Sequence, residues 1–462
     1  MVGAPHSCAA GSRSTRPDYP VGVRLSADEQ TPGGLSADQT ASIARSFEPL
    51  IDYLDLSFSG YYNFDKMFAT MDTPLGYELP TSEIVARAVD VPTIVTGRIM
   101  SLDDARRVIV NGTADMVSLV RPLVADPELI AKARSGRAHE VRPCIGTNQG
   151  CVGKFFTTGR MRCTVNPSAG REVEMPFGEV PQADSPGRVV VVGGGPAGLE
   201  AARAAALRGH TVDLFEMRRE LGGQVAIAAT APHRADIGAI TAWLADEVRR
   251  LGVRVHLGAV VDPDEIRARS PHAVIVAAGS TPRRDGFQSL TPATLVPGSQ
   301  LPHVYTSWEV FGFGGNAKVG KRALLYDDTG TYEAISVAEE LQSRGAQVVF
   351  ATRFETIGAK EFGPAVIHPA RARLVKAGME LMPTTTILEI TASDVELSTM
   401  AGAVINRVPA DTVVVVGYNR PNREYADELV DAPFPVHVVG DATGSQTIQD
   451  AITQAAQIAR AI

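Results

Sequence analysis

Arg188-Val189-Val190-Val191-Val192-Gly193-Gly194-Gly195-Pro196-Ala197-Gly198-Leu199-Glu200-Ala201-Ala202 is the stretch whose reading decides the fold. A β-branched run enters Gly193, Gly195 and Gly198 at G-x-G-x-x-G spacing, and an alanine-rich segment leaves them. The pattern predicts strand, phosphate-binding turn and helix. Gly193 makes the tight turn, Gly195 lets backbone amides reach a pyrophosphate, and Gly198 lets the helix pack close to the strand. Pro196 and Ala197 open that helix, whose N-terminus faces the anion. A second strand over residues 211–215 ends at Glu216, about twenty residues on, where a carboxylate can accept the hydroxyls of an adenosine ribose. A glycine-rich turn alone is a weak signal; strand, helix and acid in register make it a nucleotide site.

The chain around this turn has 462 residues, enough for roughly two to four domains. Its 44% hydrophobic and 21% charged residues are those of a globular protein, and a net charge of -8 argues against a nucleic-acid surface. No apolar run is long enough to span a bilayer, and no secretory leader pattern opens the chain, so a cytoplasmic location is expected. Of four cysteines, Cys144, Cys151 and Cys163 fall close together, which in a reducing compartment suggests metal binding before disulfides.

Residues 1–16 lack periodicity and read as a disordered or non-native start. From residue 20 the pattern becomes regular. Strands are predicted at 21–25, 52–58, 92–96 and 115–119, with helices at 36–50, 82–89, 102–111 and 127–134. These make four βα units, and a closed (β/α)8 barrel needs about 250 residues, so they amount to half of one. Val21-Gly22-Val23-Arg24-Leu25, Thr96-Gly97-Arg98-Ile99 and Val120-Arg121-Pro122-Leu123 resemble the later strands of an old-yellow-enzyme-type barrel. With the cysteines and glycine turn that follow, the chain resembles the iron-sulfur flavoproteins of the 2,4-dienoyl-CoA reductase and trimethylamine dehydrogenase type.

That resemblance implies an α/β architecture: the C-terminal half of a (β/α)8 FMN barrel, followed by a Rossmann-like two-dinucleotide FAD/NAD(P)-binding module. It implies that Arg24, Gly97, Arg98 and Arg121 hold the phosphate end of FMN, in keeping with barrel phosphate sites and with the fit of arginine forks to phosphate oxygens. The competing reading pairs these arginines with carboxylates on the barrel rim. Relative to the family the first four βα units are absent, and a half barrel leaves strand edges unpaired. Either a complementing chain supplies the other half, or two copies of this chain pair in a homo-oligomer, or the chain is a truncated relative whose barrel function is impaired. Tyr62, beside Tyr61, stands where the reductases carry a catalytic histidine; it is a candidate proton donor or a structural aromatic.

The cysteine run matches the family's C-x2-C-x3-C-x11-C ligand set for a [4Fe-4S] cluster, except that Thr147 replaces the second cysteine. Cys144, Cys151 and Cys163 are the expected ligands, of the cluster or, as an alternative, of zinc. Further along, Gly223 and Gln224 resemble the family's second flavin contact. Ala278 and Gly279 end a predicted strand, and Gly440-Asp441-Ala442 resembles the turn that brings an acid to the flavin's ribityl and pyrophosphate. FAD, or ADP in its place, is the expected ligand. A second unit enters Asp327-Asp328-Thr329-Gly330-Thr331-Tyr332, with one glycine where a nicotinamide turn has three. Carboxylates there are expected to repel a pyrophosphate and side chains to block its approach, which makes NAD(P)H binding doubtful. Arg353 reads as a surface residue rather than a 2′-phosphate contact.

The expected organisation is 1–16 as a start segment, 17–140 as partial FMN barrel and 141–187 as cysteine segment and linker. Residues 188–301 with 410–462 form the FAD-binding domain, and 302–409 the NAD(P)-binding-like insertion. The resemblance implies an oxidoreductase that passes electrons from NAD(P)H through FAD and the cluster to FMN and a small enoyl-type substrate. The alternatives are an amine dehydrogenase or N-demethylase and, from another class, a non-catalytic nucleotide-binding subunit.

Overall fold

The computed structural model describes residues 18–399, 402, 405–444 and 447–462. The start segment 1–16 lies outside them. The chain divides into two units, Met1–Ala131 and Lys132–Ile462.

In the first unit four parallel strands, Gly22–Ser26, Tyr53–Ser57, Thr93–Val95 and Met116–Val117, lie side by side in chain order. Gly22 stands opposite Tyr53 and Ser26 opposite Ser57, and Leu54 to Leu56 opposite Thr93 to Val95. Helices connect them because the intervening segments bury one face at helical spacing. In Ala37–Phe47, for example, Ala37, Ala41, Ala44 and Phe47 go inward, and Ser36 and Gln39 close a capping box. Their side chains join Leu54, Leu56, Val85 and Val95 in one core. The helix read at 82–89 is Leu79–Ala86, since Pro80 suits a first helical turn; the 127–134 stretch is Leu129–Arg134, preceded by a separate turn at Arg121–Ala125.

The second unit holds two five-stranded parallel sheets. The first runs Val436–Val438, Ala273–Val276, Arg188–Val192, Thr211–Glu216, Arg254–Leu257. Its centre is the valine run, with Val189, Val190 and Val191 fully buried, as expected of a strand covered on both faces. One cover is the helix Pro196–Leu207, on which Ile448–Ala459 packs. Ala201, Ala204 and Ala205 on one helix and Ala455, Ala456 and Ala459 on the other are buried, so small side chains allow the close approach.

The other sheet runs Val304–Thr306, Thr412–Val416, Arg322–Asp327, Gln347–Thr352, Glu380–Met382, and a three-stranded antiparallel meander over Thr385–Pro409 follows its last strand. This corrects the boundary expected at residue 410. Thr412–Val416 sits inside the inserted sheet because its valines fill that sheet's core beside Leu324 and Tyr326. The chain returns to the first sheet only after Arg420–Pro421 pairs with Ser280–Thr281.

Candidate functional site

The glycine turn is built as its spacing requires. Gly193 has φ of +107°, and a Cβ there would lie 2.2 Å from the carbonyl oxygen of Ala277. At Gly198 a Cβ would lie 1.8 Å from the carbonyl oxygen of Gly193, so only glycine lets the helix start this close to the strand. Gly195 faces Gly223 across an open cleft, its nearest obstacle being Gly223 Cα at 3.9 Å. Glu216, buried at the end of its strand, accepts the Gly194 amide on Oε2 at 2.7 Å and the Arg218 amide on Oε1 at 2.8 Å.

Polar groups from three distant segments close on this turn. Gln224 Nε2 donates to Asp441 Oδ2 and to Ser280 Oγ, both at 3.0 Å, and Ser280 Oγ donates to Asp441 Oδ2 at 3.1 Å. Gly440, at φ of +65°, lies so close to the helix start that a Cβ would come within 2.9 Å of Ala197 Cβ. Pairwise approaches thus bring Gly193, Gly195, Pro196, Ala197, Gly198, Glu216, Gly223, Gln224, Ala278, Gly279, Gly440 and Asp441 near the glycine turn. A cradle with glycine at every close approach and a helix N-terminus behind it fits a dinucleotide. Sequence reading missed Ser280, Asn419 and Asn422. Asn419 Nδ2 donates to Gln224 Oε1 at 3.4 Å and Asn422 Nδ2 to the Ala278 carbonyl at 2.9 Å. Single polar residues in loops carry no spacing signal that could have found them.

The second turn differs from its expectation in physical cause. Asp327, fully buried, points its carboxylate into its own turn: Oδ1 accepts the amides of Thr329 and Gly330 at 2.9 Å each and the Thr329 hydroxyl at 3.0 Å. These are amides of the kind that a dinucleotide turn offers to a pyrophosphate. Burial pushes the Asp327 carboxyl up, and its hydrogen bonds from Gly330 and Thr329 pull it back. Asp328 accepts Ser289 N at 2.8 Å and Ser289 Oγ at 2.6 Å, and Arg353 Nε stands 2.9 Å from its Oδ1. Arg353 is therefore an ion-pair partner, not the surface residue expected. Tyr332, also buried, lies under the Arg234 guanidinium.

In the cysteine segment the loop before Cys151 is pressed onto Cys163 and Thr164. A Cβ on Gly150 would lie 2.5 Å from Thr164 N. Thr147 is buried, with its hydroxyl 3.1 Å from that of Thr164. Burial pushes the Cys163 thiol up to about 12, with smaller contributions from nearby Cys144 and Cys151. Among the described residues, however, no three His, Cys, Asp or Glu side chains converge as a metal cage. The three thiols are neighbours without forming one.

On the first unit's sheet, Gly97 (φ of +139°) and Arg98 (φ of +45°) form a left-handed turn after Thr93–Val95. Arg98 is buried, and Arg121 Nη1 donates to the Ala69 carbonyl at 2.6 Å. Arg24 is held by Asp55 at 2.5 Å, the rim pairing that competed with its phosphate role. Glu78, unremarked in the sequence, lies directly under Gly97. Tyr62 is 91% exposed, and Tyr61 79%, on the turn after Tyr53–Ser57.

Comparison with known proteins adds a second line of evidence. Residues 11–140 match the NADH:flavin oxidoreductase / NADH oxidase family, and residues 191–253 an NAD(P)-binding Rossmann-like domain. The chain is 33% identical to the NADH oxidase of Thermoanaerobacter brockii over 444 residues, 96% of this chain and 66% of that protein. It is 30% identical to the cinnamate reductase of Clostridium sporogenes, over 93% of this chain and 61% of that one. The structure of 6-hydroxypseudooxynicotine amine oxidase from Pseudomonas geniculata superposes with a TM-score of 0.89 at 26% identity, covering 98% of this chain and 69% of that one. The chain spans about two thirds of the length of these relatives. Among the described residues no helix is long and apolar enough to cross a membrane.

Proposed function

Because the chain belongs to the NADH:flavin oxidoreductase / NADH oxidase family, of the old-yellow-enzyme and trimethylamine dehydrogenase type, we propose that it is a flavin-dependent oxidoreductase of small molecules. The Gly193–Gly198 turn would hold FAD, and Gly97, Arg98 and Arg121, with Arg24 beside Asp55, would hold the phosphate of FMN. The observation that carries the reading is the closure of Gln224, Ser280 and Asp441 on the glycine turn, which sets two hydrogen-bonding side chains and an acid where a flavin's ribityl and pyrophosphate would lie.

Bound flavins supply hydride and single-electron chemistry. The chain's own residues bind and orient. Glu216 accepts ribose hydroxyls while holding the Gly194 amide, and the Pro196–Leu207 helix start faces the pyrophosphate. The substrate class is an electron-poor, enoyl-type alkene, which gains hydride at one carbon and a proton at its neighbour. Tyr62 enters as proton donor on its sequence position alone. A cluster on Cys144, Cys151 and Cys163 rests on the ligand spacing; the thiols as placed do not form its cage, so no step is routed through it. The setting is cytoplasmic.

A second reading is favoured by Asp327: with its own carboxylate on the turn amides, the inserted sheet is closed to a nicotinamide dinucleotide, as suits an amine dehydrogenase that takes electrons from its substrate. The test begins with extraction of FAD, FMN, ADP and iron from anaerobically purified protein, each counted per chain. Bleaching of bound flavin by NADH or NADPH then supports the reductase, and bleaching by secondary or tertiary amines alone supports the dehydrogenase. A chain that carries neither flavin is a non-catalytic subunit and ends both enzyme readings.

A further inference from the structure

We propose that Glu78 is a positioning residue for the FMN phosphate, and that it meets that phosphate as a neutral carboxylic acid, so that binding takes up one proton. The inference rests on the assignment of Gly97, Arg98 and Arg121 to the phosphate.

Glu78 is 4% exposed, at the residue before the Leu79–Ala86 helix. Its side chain lies under Gly97: a Cβ on that glycine would stand 2.8 Å from Glu78 Cβ and 3.2 Å from the carboxyl carbon. Gly97 is thus the residue that lets the turn and the carboxyl share this space. Glu78 Oε2 is buried and has no hydrogen-bond partner. A buried carboxyl oxygen left unsatisfied costs about 1–3 kcal/mol unless something meets it.

Besides Glu78's own segment, four others bring charged groups near it. Tyr77 adjoins it and gives its hydroxyl proton to the Lys66 carbonyl. Arg121 acts on it from the Arg121–Ala125 turn, and Arg24 from the first strand, with Asp55 beside Arg24 on the second. Arg98 follows Gly97 on the third strand's turn. Burial outweighs a hydrogen bond from the Tyr77 hydroxyl and the charges of Arg121 and Arg24, and lifts the Glu78 carboxyl to about 7.

A phosphate monoester arrives with about one and a half to two negative charges at pH 7. Ionised, Glu78 would repel it and compete for Arg121 and Arg24. Protonated, it has one O–H to donate, and its buried Oε2 has no hydrogen-bond partner to give up. Phosphate binding therefore selects the acid form.

The test measures the Kd of the full chain for FMN by flavin fluorescence quenching from pH 6 to pH 9, in wild type and Glu78→Gln, with riboflavin as the phosphate-free probe. Taking the ratio of the two proteins' Kd values at each pH cancels the phosphate's own titration. That ratio, wild type over variant, is expected to rise about 90-fold from pH 6 to pH 9, from a carboxyl titrating at about 7. Calorimetry of wild type at pH 8 in buffers of different ionisation enthalpy should report uptake of about one proton. Riboflavin affinity unchanged by the substitution shows that the variant keeps its fold. A pH-independent ratio, or no proton uptake, overturns the proposal while leaving the phosphate site intact. FMN bound no more tightly than riboflavin overturns the phosphate assignment and this inference with it.

Discussion

Replacing Asp327 by alanine tests whether the second turn carries its own anion. The carboxylate accepts two backbone amides and one hydroxyl in a fully buried position. The hydroxyl keeps a neighbour, since Thr329 Oγ1 also stands 3.0 Å from Thr331 Oγ1. The loss therefore falls on the amides of Thr329 and Gly330, each costing about 1–3 kcal/mol when buried and unmatched. Relief of the carboxylate's own desolvation offsets part of this, which leaves a net destabilisation of about 2–4 kcal/mol. Urea unfolding of the full chain, with and without inorganic pyrophosphate, reads it out. The variant should unfold at lower urea and recover about 2.7 kcal/mol when pyrophosphate reaches one hundred times its Kd, because the anion refills the cradle. Wild type should show no such recovery from this turn. A variant as stable as wild type would refute the reasoning, since the carboxylate would then not be satisfying those amides. NADH quenching that is equal in wild type and variant would refute its consequence for the nicotinamide pocket.

Three further outcomes are expected. Gly198→Ala places a methyl 1.8 Å from the Gly193 carbonyl oxygen, so the helix must back away; FAD content should fall, and stability by about 1–3 kcal/mol, as measured by flavin extraction and denaturation. Glu78→Gln should stabilise the ligand-free chain at pH 8 but not at pH 4. The native carboxyl holds its proton up to about pH 7 while the unfolded one releases it near 4.5, so wild type is penalised progressively between those values and fully above them, by about 3 kcal/mol. Unfolding midpoints across that range check it, and a stability difference independent of pH would count against it. Thr147→Cys should raise the iron bound after anaerobic reconstitution towards four per chain, because it completes the four-thiolate set; unchanged iron would remove the cluster from the reading.

Much of the scaffold could be read locally. A run of valines entering glycines at fixed spacing has few ways to fold, because φ of +107° at Gly193 and the contact at Gly198 exclude any side chain. The four βα units of the first unit were legible for a similar reason: helical spacing in Ala37–Phe47 and short β-branched runs such as Thr93–Val95 bury their faces as local patterns dictate. Gln224 and Asp441, far apart in the chain, were found through resemblance and meet at 3.0 Å.

What sequence alone determined was thus the type of the periodic elements and the strand–glycine turn–helix, since these depend on steric and periodic constraints within a few residues, together with the family, through its motifs. Tertiary structure decided where carboxylates point and which sheet a strand joins. Asp327 looked like a repulsive neighbour for a phosphate and turned out to accept two amides of its own turn, because they were within reach. Glu78 gave no signal until Gly97 closed over it. Thr412–Val416 joined the inserted sheet because burial of its valines against Leu324 and Tyr326 is a property of the assembled core rather than of neighbouring residues.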